Sequence, residues 1–240
     1  MSLYMVHIEA VPRYLFEWGR SMEPNTNVML RDLGYLIHSA LRASFGEVAP
    51  QPFEVFPQAN GQKLKILGYA GYNQEDIQKN LVFLAEPLLM KTFLPNNIYT
   101  KPIPEQWPEG KKFGFRVRCC PVVRKRSSEN KVIEKDAYLA ACDKCGQENL
   151  DRNNVYVQWL SEQFTRLGGA KLIQVRVKSF RLLELRRRSK NCLHKVEYRP
   201  EVIFEGILGI SESEEFRLLL QRGVGRHRAF GFGALFLRSV

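Results

Sequence analysis

The apolar positions divide the chain into short extended runs and longer stretches with helical spacing. "LYMVHIEAV" (3–11) reads as a strand. In "NVMLRDLGYLIHSALRASFG" (27–46), Leu30, Leu33, Ile37 and Leu41 recur at helical intervals and form a core stripe. Asn27 is the expected N-cap of this helix and Gly46 its stop. "FEVFPQ" and "LKILGYA" predict a hairpin around "ANG" (59–61), and "NQEDIQKNLVFLA" (73–85) a second helix. "PNNIYTKPIPEQWPEG" (95–110), rich in Pro and Asn, reads as a linker.

The second half repeats the order. "FGFRVRC" (113–119) is a strand, and "VYVQWLSEQFTRLG" (155–168) a helix ended by Gly168. "KLIQVRVKSFRLLELRR" and "VIFEGILGI" follow as strands. "SESEEFRLLLQRG" (211–223) is a helix with an expected Ser211–Glu214 capping box, and "GALFLRS" a final strand. Two β-α-β-β-α-β patterns predict an α+β fold of tandem ferredoxin-like (RRM-like) domains. The expected division is a domain at 1–98, a linker at 99–111 and a domain at 112–240.

Charge separates the halves. Residues 1–100 carry 8 basic and 9 acidic side chains, the remainder 28 and 16. A net +12 confined to one part is the electrostatic footprint of a polyanion partner. "KKFGFRVRCCPVVRKR" (111–126) holds no acid, and "KLIQVRVKSFRLLELRRRSK" (171–190) only Glu184. Their cations alternate with apolar residues, which places Arg116, Arg118, Arg124, Lys125, Arg126, Arg181, Arg186, Arg187 and Arg188 on or near strands. Nucleic acid is the favoured partner. A membrane is not, for want of a basic amphipathic helix or a spanning segment. Five cysteines and the lack of a signal-peptide pattern point to a reducing cytoplasm.

The C-terminal "GVGRHRAFGFGALFLRSV" sets Arg226, His227 and Arg228 between Gly223, Gly225, Gly231 and Gly233. It is not a dinucleotide fingerprint or a P-loop, because no helix follows to receive a phosphate. Two readings stay open: a phosphate-contacting loop, or a tight turn before an edge strand. On the first long helix, Arg31, Tyr35, His38 and Arg42 share a stripe beside the core residues. It is either the polar rim of an amphipathic helix or a proton-transfer site, since histidine titrates near neutrality. His7 reads as structural, His194 as part of a hairpin tip, and His227 as a second candidate for phosphate contact or proton transfer. Cys142 and Cys145 have metal-ligand spacing, but one such pair does not complete a tetrahedral site, so no metal or cofactor is expected.

Three stretches together resemble the CRISPR precursor-RNA endoribonucleases of the CasE branch, in the RAMP superfamily. They are "VIFEGILGI … LLLQRGVGRHRAFGFGALFL" (202–237), "FRVRCCPVVRKR" (115–126) and "YLIH" (35–38). The resemblance covers nearly the whole chain. It implies tandem ferredoxin-like domains and metal-independent cleavage of CRISPR repeat RNA by 2′-OH attack. It also implies a 2′,3′-cyclic phosphate product, with His38 as acid–base residue and Tyr35 as its partner. The implied partners are hairpin repeat RNA, mature crRNA and other Cascade subunits. The alternative within the superfamily is a non-catalytic RNA-binding subunit, which keeps the glycine loop and basic strands without needing Tyr35 and His38.

Overall fold

A computed structural model describes residues 2–22, 32–58, 61–126, 132–145, 150–187 and 195–240. Strands β1 (Tyr4–Ala10), β2 (Phe53–Pro57), β3 (Leu64–Ala70) and β4 (Phe93–Pro102) form one antiparallel sheet in the order β2-β3-β1-β4. Strands β5 (Lys112–Cys119), β8 (Ala170–Arg187), β9 (Lys195–Ile210) and β10 (Leu235–Arg238) form a second, in the order β10-β5-β9-β8. Each sheet has the ferredoxin-like order with its repeat's first and third strands at the centre.

The period of two in β1 turns Val6, Ile8 and Ala10 into one core. There they meet Leu36, Ile37, Leu41 and Phe45 of α2 (Leu33–Phe45) and Ile77 and Leu81 of α3 (Gln74–Leu84). In the second sheet Phe115, Val117, Phe204 and Leu208 pack with Tyr156, Leu160 and Phe164 of α6 (Arg152–Leu167). Phe216, Leu219 and Leu220 of α7 (Ser213–Arg222) complete that core. Burying each such side chain contributes about 1.5–3 kcal/mol, so the helical faces fix which way the other faces look. The two sheets meet through their remaining faces: Tyr69 Oη donates to the Leu235 carbonyl at 2.6 Å, and Phe56 packs on Phe236 at 5.8 Å.

Several elements depart from expectation. The helix at 27–46 begins at Leu33 under an Asp32 cap, whose carboxylate accepts from the Tyr35 N–H at 3.0 Å. Asn27, Leu30 and Arg31 lie outside the described residues. An unforeseen helix α1 (Pro12–Met22) buries Leu15 and Trp18, and a short α4 (Pro87–Thr92) precedes β4. The expected linker is a strand as far as Pro102, because β4 pairs with β1 along its length. Glu212, not Ser211, caps α7, accepting from the N–H groups of Glu214 and Glu215. Between β5 and α6 stands an insert: hairpin β6 (Val122–Arg126) and β7 (Val132–Asp136), then α5 (Ala137–Cys145). None of the described helices is long and apolar enough to cross a membrane.

Candidate active site and nucleic-acid interface

Helix α2 carries the candidate chemistry. Its Asp32 cap fixes the first turn, and the buried Leu36, Ile37, Ala40 and Leu41 set its rotation. Tyr35, His38 and Arg42, three and four residues apart, therefore share one half-exposed face. Burial, and secondarily the Arg42 cation, hold His38 below the usual imidazole value. Arg42 is itself engaged by Glu47 and by the Gly46 carbonyl at 2.8 Å. The neutral imidazole is the form able to accept a proton, and it prevails at physiological pH.

The glycine-rich segment closes on this face. Gly223, Gly225, Gly231 and Gly233 all sit at positive φ, which explains the glycines as a set. The Gly233 N–H donates to the Arg118 carbonyl at 2.7 Å, and the Val224 N–H to the Gly233 carbonyl at 2.8 Å. These amides tie the loop to β5 and to itself. Between them a 3-10 turn, Arg228–Phe230, presents Phe230 to α2. Its ring lies edge-on to His38 at 5.4 Å and tilted over Tyr35 at 6.2 Å. Gly34 makes the approach possible: a Cβ there would stand 2.5 Å from the Phe230 carbonyl oxygen. The sequence resolved neither Phe230 nor Gly34, because their meeting joins positions far apart in the chain.

Of the cations predicted on the strands, Arg116, Arg118 and Arg181 prove to be paired. Arg116 donates to Glu54 at 2.5 Å, and burial nevertheless pushes that carboxyl up. Arg118 holds Glu201 through Nε at 2.9 Å, donates to the Gly231 carbonyl at 2.8 Å, and lies 4.2 Å over the Phe232 ring. Arg181 reaches the other Glu201 oxygen at 2.5 Å. Despite its burial, bonds from Arg181 and Arg118 hold Glu201 low. Arg176 and Lys178 share Glu205. Each of these β9 carboxylates thus serves two cations and leaves one positive charge in excess. Arg116, Arg118, Arg181, Glu201, Gly34 and Phe230 line a cleft of about 270 Å³ between the sheets.

Arg226 and His227 face Glu134 of β7, at 2.7 and 3.0 Å, with Arg124 3.7 Å away. His227 is therefore a buried partner of a carboxylate rather than a surface group. Arg228 bonds the Arg222 carbonyl, and Lys125 pairs with Asp143. Arg126, Arg186 and Arg187 end strands β6 and β8, while Arg188 and His194 lie outside the described residues. Cys142 and Cys145 fall in α5. Among the described residues no three potential metal ligands gather. His7 lies tilted against Tyr99, with ring centroids 5.6 Å apart.

The model of the family described as CRISPR associated protein matches residues 8–239. No curated protein matches the sequence. Among solved structures, a CRISPR endoribonuclease Cse3 bound to a 19-nucleotide RNA is 20% identical, with a TM-score of 0.61 over 99% of this chain and 100% of its own. The Thermus thermophilus Cse3, bound to an RNA representing a pre-cleavage complex, is 18% identical at 0.61, with the same coverage. Cas6e from Escherichia coli str. K-12 is 20% identical at 0.60, over 100% of both chains. At such identities the likeness is one of fold.

Proposed function

Since the chain belongs to the CRISPR-associated protein family, we propose that it is an endoribonuclease that binds CRISPR repeat RNA and cleaves the precursor transcript. The observation that carries this reading is His38. It is held toward the neutral form, beside Tyr35, on a helix face closed by the glycine-rich turn. The ribose 2′-OH before the scissile bond gives its proton to His38, and its oxygen attacks the adjacent phosphorus. The P–O5′ bond breaks, and the proton returns to the departing 5′-oxygen. A 2′,3′-cyclic phosphate and a 5′-OH remain. The nucleophile belongs to the substrate, so the protein need only move a proton and stabilise charge. No step calls on a metal. Tyr35 orients the ribose or the imidazole, and the cation excess along β8 and β9 attracts the RNA backbone.

General acid–base catalysis contributes about 10²–10⁴-fold. His38→Ala should therefore slow single-turnover cleavage of hairpin repeat RNA by a factor in that range. Binding of uncleaved RNA should be unchanged, because the imidazole adds little beside so many arginines. Wild-type cleavage by the Ala variant would move the acid–base role elsewhere.

A further inference from the structure

The inserted hairpin β6–β7 looks peripheral to the chemistry, yet one of its side chains reaches into the turn that covers His38. Glu134 is nearly buried, 7% exposed. One carboxylate oxygen accepts from Arg226 Nε at 2.7 Å, and the other meets His227 Nε2 at 3.0 Å. His227 sits at φ 60, the one non-glycine residue at positive φ among those described. Such a conformation persists only where the surroundings over-determine it. It starts the 3-10 turn: the Phe230 N–H donates to the His227 carbonyl at 2.8 Å, and Phe230 then lies against His38.

Resting on the nuclease reading above, we propose that Glu134 is a positioning residue. From the insert it pins Arg226 and His227, and so seats Phe230 on the catalytic imidazole. The insert is thereby part of the working site without touching the RNA's reacting atoms. Arg42, on the histidine's own helix, is the charged group that acts on His38, and Phe230 supplies an uncharged cover from the opposite side.

The test titrates the His38 imidazole by NMR in RNA-free protein, and measures single-turnover cleavage and RNA affinity separately. It uses wild type, Glu134→Ala, Glu134→Gln and Phe230→Leu. In Glu134→Ala the midpoint should rise toward the ordinary 6.5 as the ring loses its seat. Cleavage should fall by about tenfold or more with RNA affinity unchanged. Glu134→Gln, which still accepts a hydrogen bond, should fall between. Phe230→Leu should move both readouts in the same direction, and it decides the matter with the Gln variant if Glu134→Ala does not fold. Folded variants with the wild-type His38 midpoint and cleavage rate would overturn the proposal. A wild-type protein that leaves repeat RNA intact would instead sink the nuclease reading, and the midpoint shift would still be measurable.

Discussion

His38 is where residue-scale physics bears most directly on activity. Burial and Arg42 both disfavour its charged form, so the imidazole stays neutral to a lower pH than usual. The accepting form is the neutral one. The cleavage rate at limiting RNA should therefore rise with pH through an inflection below 6.5. Arg42→Gln removes a neighbouring cation and should move that inflection upward. An inflection above 6.5 in the wild type would contradict this account of the site. His7 is also depressed, chiefly by burial. Folding keeps both imidazoles neutral, so their share of stability is full above the ordinary histidine value and is lost as pH falls below it. Tyr35, His38 and Arg42 were legible in the sequence because helical spacing alone aligns them. The pairing of Arg116 and Arg118 was not: their carboxylates, Glu54 and Glu201, stand 62 and 83 residues away along the chain.

At the scale of elements, the approach of the glycine-rich turn to α2 depends on Gly34. Alanine at a helical position ordinarily gains about 0.8–1 kcal/mol over glycine. Here the added Cβ would stand 2.5 Å from a backbone carbonyl oxygen, a separation that forces the turn to move. Sterics outweigh propensity. Gly34→Ala should leave the circular dichroism signature of the fold intact and sharply lower the cleavage rate. A variant that cleaves like wild type would show that the turn need not sit so close. The same weighing explains what sequence pattern could and could not reach. Helices with clean stripes were legible: α3, and α6 with its Gly168 stop. Strand β4 was masked by Pro95 and Pro102, which are tolerated because β4 is a sheet edge. Helix α1 hid behind Pro12, although proline suits a first helical turn. The insert β6–β7–α5 has no counterpart in the two-repeat pattern, so nothing in that pattern announced it.

For the whole molecule, the charge division read from composition becomes a surface with a definite plan. Arg176, Lys178 and Arg181 are 70%, 55% and 69% exposed, while the carboxylates they share are nearly buried. Solvent and RNA phosphates therefore meet the cations and not the acids. RNA affinity should fall with salt at a logarithmic slope of about −0.7 to −0.9 per phosphate contact. Reversing Arg176, Lys178 and Arg181 together should weaken binding and flatten that slope. Titrations in which the slope does not change would place the RNA on another surface. Cleavage by attack of the substrate's own 2′-OH is the claim on which the rest turns. The most direct test is single-turnover cleavage, in EDTA, of a hairpin repeat RNA with one 2′-deoxy nucleotide before the scissile bond. The unmodified RNA should be cut to a product ending in a 2′,3′-cyclic phosphate, and the deoxy RNA should bind and stay whole. Cleavage of the deoxy RNA at the same bond would contradict the account, because water or hydroxide would then be the nucleophile.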